Sequence, residues 1–178
     1  MSSRLPLLTL VGNIGSGKST ALPILLKAFD AKPLYADDLF QTTDPFAKPY
    51  LENTPRWAFT NELWLTHQRA SLLKEHVKSP ENNSQLTIID SGLLMSWVYT
   101  YSHLLVKNIT IDEWEFYQQL YDSFSSEVLQ ETAVVRLKYS TDTLLQRIHT
   151  RGRDYELEYY TREYLEQIEQ GLEALEKK

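Results

Sequence analysis

Nine consecutive residues near the amino end have the types and spacing of a phosphate-binding loop: Gly12, Asn13, Ile14, Gly15, Ser16, Gly17, Lys18, Ser19 and Thr20. Glycines let the backbone curl tightly and point its N–H groups at phosphate oxygens, with no Cβ atoms in the way. Lys18 can then reach the β and γ phosphates of a nucleotide, and the Ser19 hydroxyl can ligate Mg²⁺. The alternative is a glycine-rich turn with a chance lysine, which the flanking strand-like and helix-like segments make rare. We predict nucleotide phosphate binding here.

Three acids follow apolar segments that have the character of strands. Asp37 and Asp38 end the segment 32–36, and Asp90 closes the run 86–89. Ligands gather at the carboxyl ends of strands in open parallel sheets, so acids placed there are candidates for chemistry. Asp90 is predicted to be a second Mg²⁺ contact beside the loop. A turn or a helix cap is the structural alternative for Asp37 and Asp38, and a structural cap is the alternative for Asp90.

Three arginines lie close together in the last third of the chain. Arg147 and Arg151 are one helical turn apart, and Arg153 follows Gly152, which should end that helix. Like charges at this spacing repel unless an anion lies between them. The pattern predicts a mobile arginine lid over a transferring phosphoryl group. A solvated basic helix end, favoured by the helix dipole, is the alternative.

The surrounding pattern alternates strands with helices. Short apolar strands are predicted at residues 5–11, 32–36, 86–89 and 133–137, and helices at 21–29, 56–78, 93–106, from 110 onward, 141–151 and 159–177. This order predicts an α/β fold with a parallel sheet of about four strands and helices on both faces. On the long helix, Glu62 and Arg69 are two turns apart on one side. Spacing alone favours surface charges for this pair.

Composition limits the possible partners. The chain has 178 residues, which is the size of one domain, predicted over 1–178, and its net charge is -6. No global basic field exists to attract nucleic acid or an anionic membrane surface. The chain has no cysteine, which excludes disulfides and thiolate sites and is compatible with a reducing compartment. We expect a soluble cytoplasmic protein without a signal peptide or a spanning helix.

These motifs together resemble the deoxyribonucleoside kinase family, and its bacterial deoxyadenosine/deoxyguanosine kinase branch most of all. The similarity spans roughly residues 5 to 170. The loop and the arginine lid would fit many kinases. Two middle segments are specific to this family: Asp44-Pro45-Phe46 through Arg56-Trp57-Ala58-Phe59-Thr60, and Asp112-Glu113-Trp114 through Tyr117.

The resemblance implies a P-loop kinase that transfers the γ-phosphate of ATP to the 5′-hydroxyl of a deoxynucleoside, with Mg²⁺. Asp37 or Asp38 would be the base that takes the proton from that hydroxyl, and the lid would span about 147–157. The resemblance also assigns residues to the acceptor pocket. Trp57 would line the base site, Glu62 and Arg69 would take the places of its base-reading glutamine and arginine, and Tyr50 and Glu156 would contact the sugar 3′-hydroxyl.

The sequence departs from the family pattern in three ways. Ser91 stands where the family has an arginine that steadies the phosphate. Glu62 replaces a glutamine, and an ionised carboxylate only accepts hydrogen bonds, which suits the adjacent N1–H and N2–H₂ donors of guanine. The chain also ends before the family's further strand and adenine-binding loop.

Two alternatives to a deoxynucleoside kinase stay open. One is a kinase for a nucleoside monophosphate or another small hydroxyl compound, encouraged by Ser91. The other is a nucleotide-binding regulatory protein that has lost catalysis, encouraged by Ser91, Glu62 and the short carboxyl end together. Long aromatic helices and the missing strand predict a homodimer.

Overall fold

The structure, a computed structural model, describes residues 7–36, 44–79, 85–128 and 132–178. Within these ranges the strands are Leu7–Gly12 (β1), Lys32–Tyr35 (β2), Thr87–Asp90 (β3) and Thr132–Leu137 (β4). The helices are Lys18–Phe29 (α1), Ala47–Glu52 (α2), Thr54–Lys78 (α3), Gly92–Leu105 (α4), Ile111–Val128 (α5), Thr141–Arg151 (α6), Asp154–Tyr159 (α7) and Arg162–Leu175 (α8).

The four strands form one parallel sheet in the order β2-β3-β1-β4. Asp90 of β3 lies level with Leu10 of β1 on one side and with Tyr35 of β2 on the other. The carboxyl ends of these three strands therefore meet at one edge, where the loop after β1 begins. The predicted α/β fold with a parallel four-stranded sheet is confirmed.

Helices cover both faces of the sheet, because the two central strands are apolar on both sides. Leu8 and Leu10 of β1 pack with Leu22 of α1 on one face. Val11 and Ile89 point to the other face, into the main core. That core is formed largely by α3, α4, α5 and α8, and it contains stacked or edge-on contacts among these aromatic residues: Trp97, Tyr101, Trp114, Tyr117 and Tyr121.

Local signals set the helix boundaries. Asn53 accepts a hydrogen bond from the Arg56 backbone N–H at 3.3 Å and caps α3. Thr110 and Glu113 exchange reciprocal hydrogen bonds at the start of α5, at 2.7 Å and 3.2 Å, which form a capping box. Gly152, in the left-handed conformation, ends α6 as predicted.

Two helix predictions were wrong at their ends. The first helix begins at Lys18 rather than at residue 21, so the lysine of the loop lies on the first helical turn. The helix predicted over 159–177 is α8, which begins only at Arg162, and the residues before it form a separate short helix, α7. They are separate because Thr161 caps α8, accepting a hydrogen bond from the Tyr164 backbone N–H at 3.2 Å.

Helix α8 ties the carboxyl end to the rest of the fold. Gly171 lies so close to α4 that a Cβ there would be 3.0 Å from the Val98 carbonyl oxygen. On the edge strand β4, Arg136 pairs with Glu169 of α8 at 2.7 Å. None of the helices in the described ranges combines the length and the apolar composition that crossing a membrane requires.

Candidate active site

The loop between β1 and α1 has the backbone shape that its glycines predict. A Cβ on Gly12 would lie 2.7 Å from the Ser16 hydroxyl and 2.8 Å from the Leu137 carbonyl oxygen, so only glycine fits there. Gly17 has φ 88° and precedes the first turn of α1. The loop is closed by a hydrogen bond from the Ser16 N–H to the Asn13 carbonyl at 3.1 Å.

Lys18 folds back over this loop. Its ammonium donates to the carbonyls of Gly12 and Asn13, at 2.8 Å and 3.3 Å. The Ser16 hydroxyl is buried and has no hydrogen-bond partner within the described residues. An ammonium, a buried polar atom and a helix amino end therefore converge on one short segment, which fits a triphosphate.

The predicted metal ligands come from neighbouring parts of this edge. Ser19 is exposed on the first turn of α1, and Asp90 is buried at the end of β3. The Ser91 N–H donates to the Leu10 carbonyl at 3.0 Å, which fixes the end of β3 beside β1. No group of three potential acidic or histidine ligands occurs in the described part of the chain. Mg²⁺ at a phosphate site needs only one or two protein groups, with phosphate and water oxygens as the rest.

The predicted bases, Asp37 and Asp38, lie outside the described residues. Ala36, which precedes them, is buried at the end of β2. Its carbonyl accepts a hydrogen bond at 3.1 Å from Nε of Arg69, and the Arg69 Nη1 donates to the Ser96 hydroxyl at 2.8 Å. Arg69 therefore connects α3 with the end of β2 and with α4.

Glu62 and Arg69 are not surface charges, so the interpretation that spacing favoured was wrong. Glu62 is only 4% exposed and Arg69 only 2%. Burial raises the pKa of Glu62 to about 7, although the positive charge of Arg69 opposes that shift. The Glu62 Oε2 atom has no hydrogen-bond partner among the described residues. A buried polar atom without a partner is costly, and a ligand with hydrogen-bond donors would satisfy it.

Tyr50 and His103 lie beside Glu62. The Tyr50 hydroxyl is 3.1 Å from Nε2 of His103, and that nitrogen is 3.9 Å from Oε1 of Glu62. Burial, together with the charge of Glu62, raises the pKa of Tyr50, so its hydroxyl stays protonated. Burial raises the pKa of Tyr164 of α8, and electrostatic interactions with Tyr50 and Glu62 raise it further. Helices α2, α3, α4 and α8 thus each contribute a buried or half-buried polar side chain to this region.

Trp57 lies at the start of α3 and is half-buried. Its ring stacks on Phe46 with centroids 5.9 Å apart, and the Arg56 guanidinium lies 4.9 Å from its ring centroid. A flat ring already held in a stack offers another flat ligand a preformed surface.

The predicted lid helix, α6, lies against the phosphate-binding loop. A Cβ on Gly15 would be 3.1 Å from the Leu144 carbonyl of this helix. Arg147 donates to the carbonyls of Gly15 and Ser16, each at 3.4 Å, and its guanidinium stacks 3.9 Å from the Tyr139 ring centroid. One of the three arginines is therefore beside the loop.

The other two arginines pair with an acid. Glu156 is 3% exposed, and its carboxylate accepts from Arg151 at 2.7 Å and from Arg153 at 3.3 Å. The like charges at 147 and 151 therefore have different partners. This arrangement keeps Arg151 and Arg153 together, at the end of α6 and the start of α7.

Sequence reasoning missed His103, Ser96 and Tyr164. His103 stands within an otherwise apolar and aromatic helical segment, and a lone histidine in such a segment was the available signal. It does not identify its partners, because these come from helices that are far apart in the sequence.

Comparison with known proteins places this geometry in a family. A family model described as deoxynucleoside kinase matches residues 8–178. The deoxyguanosine kinase of Bacillus subtilis (strain 168) is 23% identical over 163 residues, which cover 92% of this chain and 74% of that protein. The deoxyguanosine kinase of Lactobacillus johnsonii is 26% identical over 156 residues, which cover 84% of this chain and 65% of that protein.

Solved structures show the same fold. The structure of deoxyadenosine kinase from M. mycoides with bound dATP superposes with a TM-score of 0.75 at 23% identity, and the match covers 97% of this chain and 84% of that one. The same kinase with bound dCTP gives a TM-score of 0.75 at 22% identity. The resemblance drawn from the sequence is confirmed: this chain belongs to the deoxynucleoside kinase family.

Proposed function

We propose that this protein transfers the γ-phosphoryl group of ATP to the 5′-hydroxyl of a deoxynucleoside and that guanine is its preferred base. The observation that carries the base preference is the buried Glu62 carboxylate, whose Oε2 has no hydrogen-bond partner within the described ranges. An ionised carboxylate accepts two hydrogen bonds side by side, which matches the N1–H and N2–H₂ groups of guanine. Two curated relatives are deoxyguanosine kinases, which supports this choice.

The donor side binds through the loop and the lid. Residues 12–20 would hold the phosphates of ATP, which supplies the group to be transferred. Ser19 and Asp90 would ligate the accompanying Mg²⁺. Lys18 and Arg147 already lie at the loop, and Arg151 and Arg153 would complete the charge neutralisation around the γ-phosphoryl oxygens.

The acceptor side positions the sugar and the base. Trp57 would stack on the base, while Glu62 and Arg69 would read its edge. Tyr50 and Glu156 would hold the 3′-hydroxyl, and Asp37 or Asp38 would take the proton from the 5′-hydroxyl. Catalysis then comes from positioning and from preorganised charge, which is the main source of rate in phosphoryl transfer.

Mass spectrometry of reaction products tests the activity. The protein is incubated with ATP, Mg²⁺ and a panel of deoxynucleosides and nucleoside monophosphates, alongside the Lys18→Ala variant. We expect a deoxynucleoside monophosphate, with deoxyguanosine consumed first, and none from the variant. Phosphorylation of a monophosphate alone would contradict the proposal, as would ATP binding without any product.

We also propose a single kinase domain over 1–178 with a lid at about 147–157, acting as a cytoplasmic homodimer. Exposed apolar side chains on α5, Ile111 and Phe116, support a contact with a second copy. Sedimentation equilibrium of the parent and of Phe116→Asp would measure it, and a monomeric parent would refute it.

A further inference from the structure

His103 of α4 is a buried histidine in contact with the acceptor region, and none of the roles above uses it. It is 3% exposed. Nε2 faces the Tyr50 hydroxyl at 3.1 Å and Oε1 of Glu62 at 3.9 Å, while Nδ1 faces Nδ2 of Asn108 at 3.2 Å. The two rings of Tyr50 and His103 meet edge-on, with centroids 5.6 Å apart. This side chain therefore touches the turn after α4 with one nitrogen and the acceptor region with the other.

The partner of Nδ1 determines which ring nitrogen carries the proton. The amide nitrogen Nδ2 of Asn108 can only donate, so Nδ1 of His103 must accept, and the ring proton lies on Nε2. Burial lowers the pKa of His103 to about 4, so the ring is neutral at physiological pH. Asn108 is itself held in place, because its backbone N–H donates to the His103 carbonyl at 2.9 Å.

The direction of the next hydrogen bond follows. Since Nε2 carries the proton, the Tyr50 oxygen accepts from His103, and the Tyr50 hydroxyl hydrogen points away from the imidazole. Glu62 Oε1 is too distant for a hydrogen bond with the same N–H, at 3.9 Å from Nε2. The N–H of His103 thus orients the Tyr50 hydroxyl from α2, next to the carboxylate from α3.

We propose that His103 is a positioning residue for the acceptor: its Nε2–H fixes the Tyr50 hydroxyl as a hydrogen-bond donor toward the sugar 3′-hydroxyl. This inference rests on the proposed function, because it takes the region around Tyr50 and Glu62 as the acceptor pocket. Asn108 is the second member of the device, since it sets the tautomer.

The test compares two amide replacements of the same ring. In His103→Gln the amide nitrogen lies near the position of Nε2 and keeps a donor to Tyr50, whereas in His103→Asn it lies near Nδ1 and loses that donor. Binding of deoxyguanosine and of 2′,3′-dideoxyguanosine is measured by titration calorimetry without ATP. We expect His103→Asn to weaken deoxyguanosine about tenfold, as for one lost polar contact, to leave the dideoxy compound nearly unchanged, and His103→Gln to restore the loss.

A merely structural role for His103 would give a different result. Both amide variants would then have a lowered melting temperature and would weaken both nucleosides equally, which would overturn the proposal. Kinetics add a second readout. Loss of the contact between the Tyr50 hydroxyl and the sugar should raise KM for the deoxynucleoside with little change in kcat. In the parent this contact is made equally in the ground state and the transition state.

Asn108→Asp tests the tautomer without altering the ring. A carboxylate accepts from Nδ1–H, so the ring proton moves to Nδ1 and the Tyr50 hydroxyl donates to Nε2 instead of to the sugar. We expect ¹⁵N NMR to show the proton on Nε2 in the parent and on Nδ1 in this variant, with the same selective loss of deoxyguanosine binding. A parent ring protonated on Nδ1, or unchanged binding in the variant, would overturn the proposal. Nucleoside binding without any phosphoryl transfer would instead mark failure of the proposed kinase activity.

Discussion

The two halves of the proposed site, a phosphate side and an acceptor side, are built by different means. The phosphate side uses one continuous stretch, residues 12–20, whose backbone shape is set by glycines. Its charged groups, Lys18 of that stretch and Arg147 of α6, are partly or fully exposed. The acceptor side gathers side chains from helices α2, α3, α4 and α8. Its charged and imidazole groups, Glu62, Arg69 and His103, are buried, and its tyrosines, Tyr50 and Tyr164, are half-buried.

This difference determines where water is excluded. Charges near bulk water are weakened by screening, so the phosphate side needs several of them together with backbone amides. On the acceptor side each buried polar atom has a strong effect, because an unsatisfied one costs about 1–3 kcal/mol. Glu62, with Oε2 lacking a partner in the described part of the structure, is the clearest case.

The largest effect is expected from the lysine of the loop. Lys18→Ala should lower kcat by about 10²- to 10³-fold, by analogy with other groups that stabilise developing charge. The fold should persist, because Lys18 is half-exposed. Steady-state kinetics measure kcat, and circular dichroism measures whether the fold persists. The matched control is Lys27→Ala, which replaces an exposed lysine on the same helix. Equal turnover by Lys18→Ala and its parent would remove the phosphate role of this residue.

Arg147 should come next. Its guanidinium donates hydrogen bonds to the Gly15 and Ser16 carbonyls, which places its charge beside the phosphate-binding loop. Arg147→Gln should therefore lower kcat by about 10- to 10²-fold and leave the KM of the nucleoside nearly unchanged. His149→Gln, exposed on the same helix, is the control. A selective rise in nucleoside KM would instead place Arg147 on the acceptor side.

The phosphate side could be predicted from the sequence because its parts are local. The loop motif and the Gly152 helix end depend on neighbouring residues, and the structure has both the predicted loop shape and the predicted helix end. The order of strands and helices was likewise enough to predict the parallel sheet. The start of the last helix was harder to predict, because Thr161 can lie inside a helix and can also cap a new one.

The acceptor side could be predicted only in part. Spacing alone treated Glu62 and Arg69 as surface charges, because a helical pattern does not show what covers a polar face. Their burial depends on α4 and α8, which are 27 or more residues away in the sequence and cover this side of α3 only in the fold. The hydrogen bond from Arg69 to Ser96 of α4 is an example. His103 could not be given a role for the same reason, since its partners converge only in the fold.

Glu62→Gln should change which base is preferred. A glutamine offers one donor and one acceptor, so the ratio of kcat/KM for deoxyguanosine over deoxyadenosine should fall by about tenfold, as for one hydrogen bond to a charged group. Glu75→Gln, exposed on the same helix, should leave the ratio unchanged. In the parent the ratio should also rise as pH increases through about 7, where Glu62 ionises, and this pH dependence should vanish in Glu62→Gln. An unchanged ratio at every pH would show that Glu62 does not read the base.

Glu62 and His103, both buried on the acceptor side, should change the pH dependence of the free energy of unfolding in opposite directions. The pKa of Glu62 is raised from 4.5 to about 7, so the folded state holds the extra proton and Glu62 lowers the free energy of unfolding as pH rises between these values. The pKa of His103 is lowered from 6.5 to about 4, so the unfolded state holds the extra proton and His103 raises that free energy as pH rises between them. Each slope can reach about 1.4 kcal/mol per pH unit.

Urea denaturation from pH 4.5 to 7.5 separates the two contributions. Subtracting the Glu62→Gln curve from the parent curve should give a difference that falls with pH, and subtracting the His103→Gln curve should give one that rises. Flat differences would mean that neither group changes its pKa on folding, and the acceptor side would then be open to water like the phosphate side.

The smallest effect concerns α8, where the two sides meet. Asn13 of the loop donates through Nδ2 to the Leu165 carbonyl at 2.7 Å, and the preceding residue of α8, Tyr164, lies with Tyr50 and Glu62. Asn13→Ala should lower the free energy of unfolding by about 1 kcal/mol, measured in urea, and should raise the KM of ATP a few-fold. Asn13→Asp keeps the acceptor for the Ile14 N–H but loses the donor to the Leu165 carbonyl, so it should have the same two effects as Asn13→Ala.

The nucleoside KM decides how independent the two sides are. If it stays within about twofold, the loop and the pocket share a support but bind separately, as expected for well-separated sites. If it rises together with the KM of ATP, α8 transmits the position of the loop to Tyr164 and thence to the acceptor. The second result would make the two sides one cooperative unit and would contradict the division drawn between them.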